Sequence, residues 1–151
     1  MEIIEYHRSE NPSLWLSQIR HCGWRAGPFL AGLLESGEFY GYLGQGARLL
    51  LLTEGRELVS FCTYAERDEI PDEELTPWVG FVHTSPQYRR QRRMGVLLER
   101  ARELAREDGY PCIYISTDET GLYEKYGAVF WRIMKTRSGA DTRVYRMPVI
   151  M

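Results

Sequence analysis

Residues 79 to 98 read Val-Gly-Phe-Val-His-Thr-Ser-Pro-Gln-Tyr-Arg-Arg-Gln-Arg-Arg-Met-Gly-Val-Leu-Leu. The stretch begins inside an extended apolar run, Trp78 to Thr84, which stops at the breaker pair Ser85-Pro86. A helical pattern follows, because Met94, Leu97, Leu98, Ala101, Leu104 and Ala105 fall on one face of a 3.6-residue repeat. Between strand and helix lies a loop that holds Arg89, Arg90, Arg92 and Arg93 and then Gly95. Free N–H groups of a first helical turn and the positive end of the helix dipole both favour an anion there. Arginines at that end oppose the dipole, and a bound polyanion gives their placement a reason. A phosphorylated cofactor and a nucleic acid satisfy that argument equally.

Working outward, the chain of 151 residues suits one domain, 1–151, with a sizeable core. The net charge of −2 gives no global field for a polyanion, so the positive charge is local to the loop. Cys22, Cys62 and Cys112 have neither metal-ligand spacing nor an even count, which argues against a disulfide framework. His7, His21 and His83 are scattered, so no metal site is expected. The N-terminus lacks a basic segment followed by an apolar one, and no apolar run approaches bilayer length. A cytoplasmic, reduced location is the expectation, with no membrane partner.

Ile3, Ile4 and Tyr6 suggest a first strand. Asn11 and Pro12 read as the cap and first position of a helix whose apolar face is Leu14, Trp15, Ile19 and Cys22. Gly23 and Gly27-Pro28 are expected to interrupt it before a short second helix, about 29 to 35. Residues 36 to 46 read as a flexible loop rich in glycine and tyrosine. Strands are expected over 47–53 and 57–65 around Glu54-Gly55-Arg56, then at Trp78 to Thr84. The acidic segment from Glu66 to Glu74 reads as a solvated loop or as a negative mouth for a cationic amine. The long helix should stop at Gly109, followed by a strand at Cys112 to Ser116, which makes a right-handed parallel βαβ unit. Strands over 128–136 and 142–149 close the chain as a hairpin.

Pro86-Gln87-Tyr88-Arg89-Arg90-Gln91-Arg92-Arg93-Met94-Gly95 resembles motif A of the GNAT acyltransferases, the Gcn5-related N-acetyltransferases. Arg90 takes the first motif place and Gly95 the last, while Arg93 stands where the middle glycine is usual. A helix start needs only right-handed dihedrals, so an arginine is tolerated if its side chain swings away, for instance onto a phosphate. Gly121-Leu122-Tyr123-Glu124-Lys125-Tyr126-Gly127 is similar to the family's late helix, where a tyrosine sits in a Leu-Tyr-Glu-Lys-x-Gly signature. Leu122 and Tyr126 are expected to share its buried face, with Tyr123 turned away.

The resemblance implies an α/β (α+β) fold: a mixed, mainly antiparallel central sheet with a parallel βαβ unit and flanking helices. It implies acetyl-CoA as acyl donor and direct transfer to a primary amine, with no metal. Backbone groups of Val82, His83 and Thr84 would then pair with the pantetheine arm. Arg89, Arg90, Gln91, Arg92, Arg93, Met94, Gly95 and Val96 would hold the pyrophosphate. Tyr123 becomes the general acid that protonates the leaving thiolate. Phe39, Tyr40 and Tyr42 are candidate acceptor contacts by the same analogy.

The base is assigned to Glu66 at the end of the preceding strand, with Asp68 and an ordered water as alternatives. His83 is set aside because regular alternation puts it, with Phe81, on the face opposite Val82 and Thr84, whereas the resemblance implies a base that shares the parity of Gly80 or Trp78. The acceptor is expected to be a small molecule or peptide, with a lean to a cationic amine, and a homodimer is left open. Two readings from other classes stand beside the enzyme: a nucleic-acid or anion binder using the arginines, and an acyl-CoA-binding protein without turnover.

Overall fold

The computed structural model describes residues 1–149. Seven strands form one sheet in the order β1-β2-β3-β4-β5-β7-β6. They are β1 (Glu2–Glu5), β2 (Arg48–Glu54), β3 (Glu57–Ala65), β4 (Trp78–Thr84), β5 (Cys112–Thr117), β6 (Val129–Lys135) and β7 (Asp141–Pro148). Only β4 and β5 run parallel, and every other neighbouring pair is antiparallel. The mixed, mainly antiparallel sheet and its single parallel crossover agree with the sequence reading.

Strand β2 shows why the centre of the sheet reads as a continuous apolar run. Leu49 and Leu51 face one core, Leu50 and Leu52 face the other, and all four are buried. A strand covered on both faces has no solvent side to mark with polar residues. One layer is the helix α4 (Arg93–Glu107), whose Met94, Leu97, Leu98, Ala101, Leu104 and Ala105 are all buried. Arg102 is buried on the same helix. Its Nε donates to the Pro148 carbonyl at 3.2 Å, an Nη donates to the Tyr126 carbonyl, and the other Nη pairs with Glu99 at 3.2 Å.

The opposite layer is α1 (Pro12–Arg20), α2 (Ala26–Ser36) and α3 (Phe39–Leu43). Asn11 and Pro12 occupy the expected start of α1, but the Asn11 side chain makes no cap bond. The second helix begins three residues earlier than expected and includes Gly27-Pro28. A Cβ at Gly27 would lie 2.5 Å from the Ile19 carbonyl oxygen, so this glycine permits close helix packing instead of breaking a helix. Pro28 is tolerated because it falls in the first turn, where N–H groups have no intrahelical acceptor. The expected loop over 36–46 contains α3, fixed by the buried Phe39 and Leu43.

Candidate active site

Two register pairs, Trp78↔Tyr114 and Val79↔Ile115, join β4 to β5; beyond them the two strands diverge. On its other edge β4 pairs Thr63↔Gly80 and then Phe61↔His83, so it carries one extra residue against β3. That bulge centres on Phe81, whose φ is +47°, a left-handed conformation that is uncommon for a bulky residue. It changes the side-chain parity. Val79 and Val82 pack toward α4, whereas Phe81 joins the core on the α1–α2 side. His83 lies on that second side as well, stacked on Trp24 at 5.6 Å between ring centroids and tilted against Phe61 at 5.5 Å. The expectation that Phe81 and His83 face away from the Gly80 side is therefore corrected. Burial and the Arg89 cation lower the His83 pKa, so the imidazole is neutral at physiological pH, and its Nε2 has no partner among the described residues.

The divergence opens a cleft of about 990 Å³. At one end lies the arginine loop, with Arg89, Arg90, Arg92 and Arg93 all lining it. Arg90 and Arg92 have φ of +66° and +56°, conformations that cost roughly 1–2 kcal/mol each for a residue with a Cβ. Arg93, the first helical residue and the one for which right-handed dihedrals were expected, is not among the positive-φ positions. None of the four arginines makes an ion pair among the described residues. The loop is braced by its neighbours: Gln87 and Tyr88 donate to Glu57 at 2.5 and 3.1 Å, and Arg89 Nε donates to the Thr84 carbonyl at 3.0 Å. The Gly95 N–H donates to the Arg92 carbonyl at 3.1 Å, and no backbone oxygen outside the helix accepts from Arg93 or Met94 among the described residues.

The middle of the cleft meets Tyr123. It opens a four-residue 3-10 turn, Tyr123–Tyr126, where a longer helix was expected. Gly127 ends the turn at φ +92°, and the Glu124 carboxylate closes it by accepting from the Gly121 N–H at 3.1 and 3.2 Å. Tyr123 is the buried residue of the turn, and Leu122 and Tyr126 are only partly buried, which reverses the expected facing. Burial raises the Tyr123 pKa well above the usual phenol value, with nearby acidic groups adding to the shift.

Toward the start of β4 the lining is aromatic and acidic, with Phe29, Tyr42, Phe81, Asp68 and Glu69, while Trp24 lies against His83. Glu69 accepts from Ser116 Oγ at 2.5 Å, and its carbonyl accepts from the Arg137 N–H at 2.9 Å. Asp68 is 8% exposed and lies against the backbone of β4 at Gly80. Desolvation by burial pushes its carboxyl up to about 7; the adjacent Glu69 adds to this, while a backbone hydrogen bond at Glu69 and the Arg137 cation oppose it.

Residues 3–128 match the model of the acetyltransferase (GNAT) family. The chain belongs to the GNAT family. It is an acyltransferase with the acyl-CoA N-acyltransferase fold. A GNAT-family acetyltransferase of Desulfovibrio desulfuricans is similar in structure at a TM-score of 0.72 and 16% identity, with 98% of each chain covered. An aminoglycoside 6'-N-acetyltransferase complexed with coenzyme A also gives 0.72 at 16% identity, covering 100% of this chain and 98% of the other. An aminoglycoside 6'-acetyltransferase type Ii gives 0.72 at 19% identity, covering 100% and 99%. No curated protein matches the chain in sequence.

Within this GNAT domain, the expected site residues divide. Val82, His83, Thr84, Arg89, Arg90, Arg92, Arg93, Met94 and Tyr123 line one cleft, while Gln91, Gly95 and Val96 are not among its lining residues. A Cβ at Gly95 would lie 2.7 Å from Tyr126 Cε1, so that glycine makes room for a ring of the Tyr123 turn. Of the expected acceptor contacts only Tyr42 reaches the cleft. Phe39 is 1% exposed in the core, and Tyr40 lines a separate hollow with Glu5 and His7. Glu66 is also displaced: its carboxylate accepts from the Gly46 N–H at 2.8 Å and bridges the start of β2, outside the cleft. Trp24, Phe29 and Phe81 were not anticipated, because they come from separate segments whose convergence is a property of the fold; Glu69 belongs to the acidic segment read as a possible negative mouth. Among the described residues no cluster of three or more His, Cys, Asp or Glu is placed to hold a metal ion. No helix of the described residues is long and apolar enough to cross a membrane.

Proposed function

We propose that this chain transfers an acetyl group from acetyl-CoA to a primary amine that carries positive charge, in a ternary complex of donor, acceptor and enzyme. The observation that carries the reading is the division of one continuous cleft into a cationic end and an acidic, aromatic end. The cationic end suits coenzyme A. Four arginines without ion pairs and a helix start with free N–H groups form an anion cradle, and the strained Arg90 and Arg92 backbone has a use there. Beyond Val79, the β4 edge that faces β5 has no strand partner, so Val82 and Thr84 can offer backbone groups to an extended amide-bearing arm.

Acetyl-CoA supplies a thioester whose acyl carbon accepts an amine. The chain's own residues then supply binding and proton transfer. Tyr123 keeps its phenolic proton through the physiological range because burial raises its pKa, and it can deliver that proton to a departing sulfur. The other end recruits the acceptor: Phe29, Tyr42 and Phe81 bring aromatic rings to the lining, and Asp68 and Glu69 bring carboxyl groups, both of which favour a cation. Two structural neighbours are aminoglycoside acetyltransferases, and aminoglycosides are polycationic amines, which supports the same acceptor class.

The test is a calorimetric titration with acetyl-CoA and, at matched ionic strength, with a short DNA duplex, followed by thiol-release assays on a panel of cationic amines. Micromolar acetyl-CoA affinity, weak duplex binding that salt abolishes, and turnover of at least one cationic amine are expected. Duplex binding without acetyl-CoA binding would refute the reading.

A further inference from the structure

We propose that Asp68 is the general base, delivered from the loop after β3 into the space that a side chain at position 80 of β4 would occupy. The inference rests on the acetyltransferase reading above. A Cβ at Gly80 would lie 2.0 Å from Asp68 Oδ1, 2.7 Å from Cγ and 3.0 Å from Oδ2. Those distances are far inside contact range, so the Asp68 carboxyl stands where the first atoms of a residue-80 side chain would be. Gly80 is not among the positive-φ glycines of the chain. Glycine is therefore needed at this position for space and not for backbone conformation.

Neither Trp78 nor Gly80 can accept a proton, and the bulge gives Phe81 the next place on that side of the strand. Asp68 thus places a carboxyl group beside Gly80 of β4 from a neighbouring segment. It lines the same cleft as Tyr123, so base and acid open onto one space. It makes no ion pair among the described residues.

The charged and titratable groups around Asp68 set its behaviour. Glu69 of the same loop raises its pKa and Arg137 of the β6–β7 hairpin lowers it; Tyr42 of α3 and Tyr123 also sense its charge. Burial outweighs the cation and leaves the carboxyl balanced near neutrality, where proton uptake from an amine is most effective.

The neutral amine nitrogen forms the new C–N bond with its lone pair and loses one proton to a carboxylate oxygen of Asp68. The C–S bond breaks, its electron pair stays on sulfur, and the Tyr123 hydroxyl gives that sulfur one proton. A proton passing from Asp68 through water to the tyrosinate restores both residues.

The experiment uses the full chain, acetyl-CoA, and kanamycin and spermidine as acceptor probes, with Asp68→Asn, Asp68→Ala, Gly80→Ala and the double variant Asp68→Ala/Gly80→Glu. Acetyl-CoA affinity is measured first on every variant by calorimetry, which reports folding and the donor site. Wild-type kcat/KM should rise through an ascending limb near pH 7, and Asp68→Asn should lose that limb with a fall of about 10²–10⁴-fold. Gly80→Ala should mimic the loss, because the added methyl displaces the carboxyl. The double variant restores a carboxyl on β4 itself and should recover at least about tenfold over Asp68→Ala, within the range of a positioned base.

Asp68→Asn with kcat/KM within threefold of wild type, or with the limb intact, overturns the proposal and turns attention to His83. If acetyl-CoA binds but neither probe reacts, the Asp68 carboxyl is titrated by side-chain ¹³C NMR. A midpoint near the ordinary value of 3.8 then overturns the proposal, and an elevated midpoint sustains it. Failure of the wild-type chain to bind acetyl-CoA removes the acetyltransferase reading itself, and with it the base.

Discussion

Replacing Gly95 by alanine separates two roles for the same glycine. If it serves mainly to let a pyrophosphate approach the helix, the added methyl should weaken coenzyme A binding and do little else. The packing points elsewhere. The new Cβ would lie 2.7 Å from Tyr126 Cε1, 3.3 Å from Cδ1 and 3.7 Å from Cζ. Carbon atoms rest at about 3.5–4.0 Å, so the ring must withdraw by roughly 0.8 Å or more. Its freedom is limited, because the Tyr126 carbonyl accepts from the buried Arg102 and the ring packs against the α4-side core. The displacement therefore passes along the turn to Tyr123, three residues earlier. Overpacking of this kind costs about 1–3 kcal/mol. Exchanging a helical glycine for alanine returns up to about 1 kcal/mol. The net loss of about 0–3 kcal/mol should lower Tm by several degrees, at about 2–4 °C per kcal/mol for a chain of this size. A misplaced acid should also lower kcat, by up to about 10²-fold for a shift of about 1 Å. Differential scanning calorimetry, coenzyme A titration and steady-state kinetics on one preparation decide between the roles. Unchanged Tm and kcat with only coenzyme A affinity lost would refute the packing argument.

Tyr123→Phe keeps the ring and removes the donor, so kcat should fall on the order of tenfold to a thousandfold while coenzyme A affinity is retained; unchanged kcat would reduce Tyr123 to packing. Arg102→Met fills the volume but strands the Pro148 and Tyr126 carbonyls, and should cost about 2–4 kcal/mol in denaturant unfolding. An effect below about 0.5 kcal/mol would mean those carbonyls find other donors. Asp68→Asn should change stability with a defined sign. The folded carboxyl binds its proton more tightly than the unfolded one, so its ionisation costs nothing below about pH 4 and progressively destabilises the fold as pH rises through about 7. The asparagine variant should therefore gain on wild type by a few kcal/mol between pH 4 and pH 8. A difference in Tm that does not change with pH would contradict the raised pKa.

What was legible in the sequence follows from how each feature is written in the chain. The α4 face is spelled out by Met94, Leu97, Leu98 and Ala101, and the β2–β3 pair by its apolar runs around Gly55, so the long helix, that strand pair and the arginine loop could be anticipated. The β4 bulge could not, since the residue with positive φ is Phe81, and nothing in a phenylalanine marks a left-handed position. Counting alternation through it reversed the face of His83. The different placements of Glu66 and Asp68 were hidden for a related reason. The two are neighbours in sequence, and only the path of the loop decides that one carboxylate caps the Gly46 N–H while the other turns into the cleft. A usable signal was nonetheless present. A glycine inside an apolar strand weakens the strand, and it persists where a bulge or a close approach needs the room. Gly80 satisfies both conditions, sitting beside the Phe81 bulge and under the Asp68 carboxyl. The interior strand glycine and the unassigned acid segment were each visible in the sequence. Joining them requires the β3–β4 register, which places Thr63 opposite Gly80 and brings the loop after β3 within reach of that glycine.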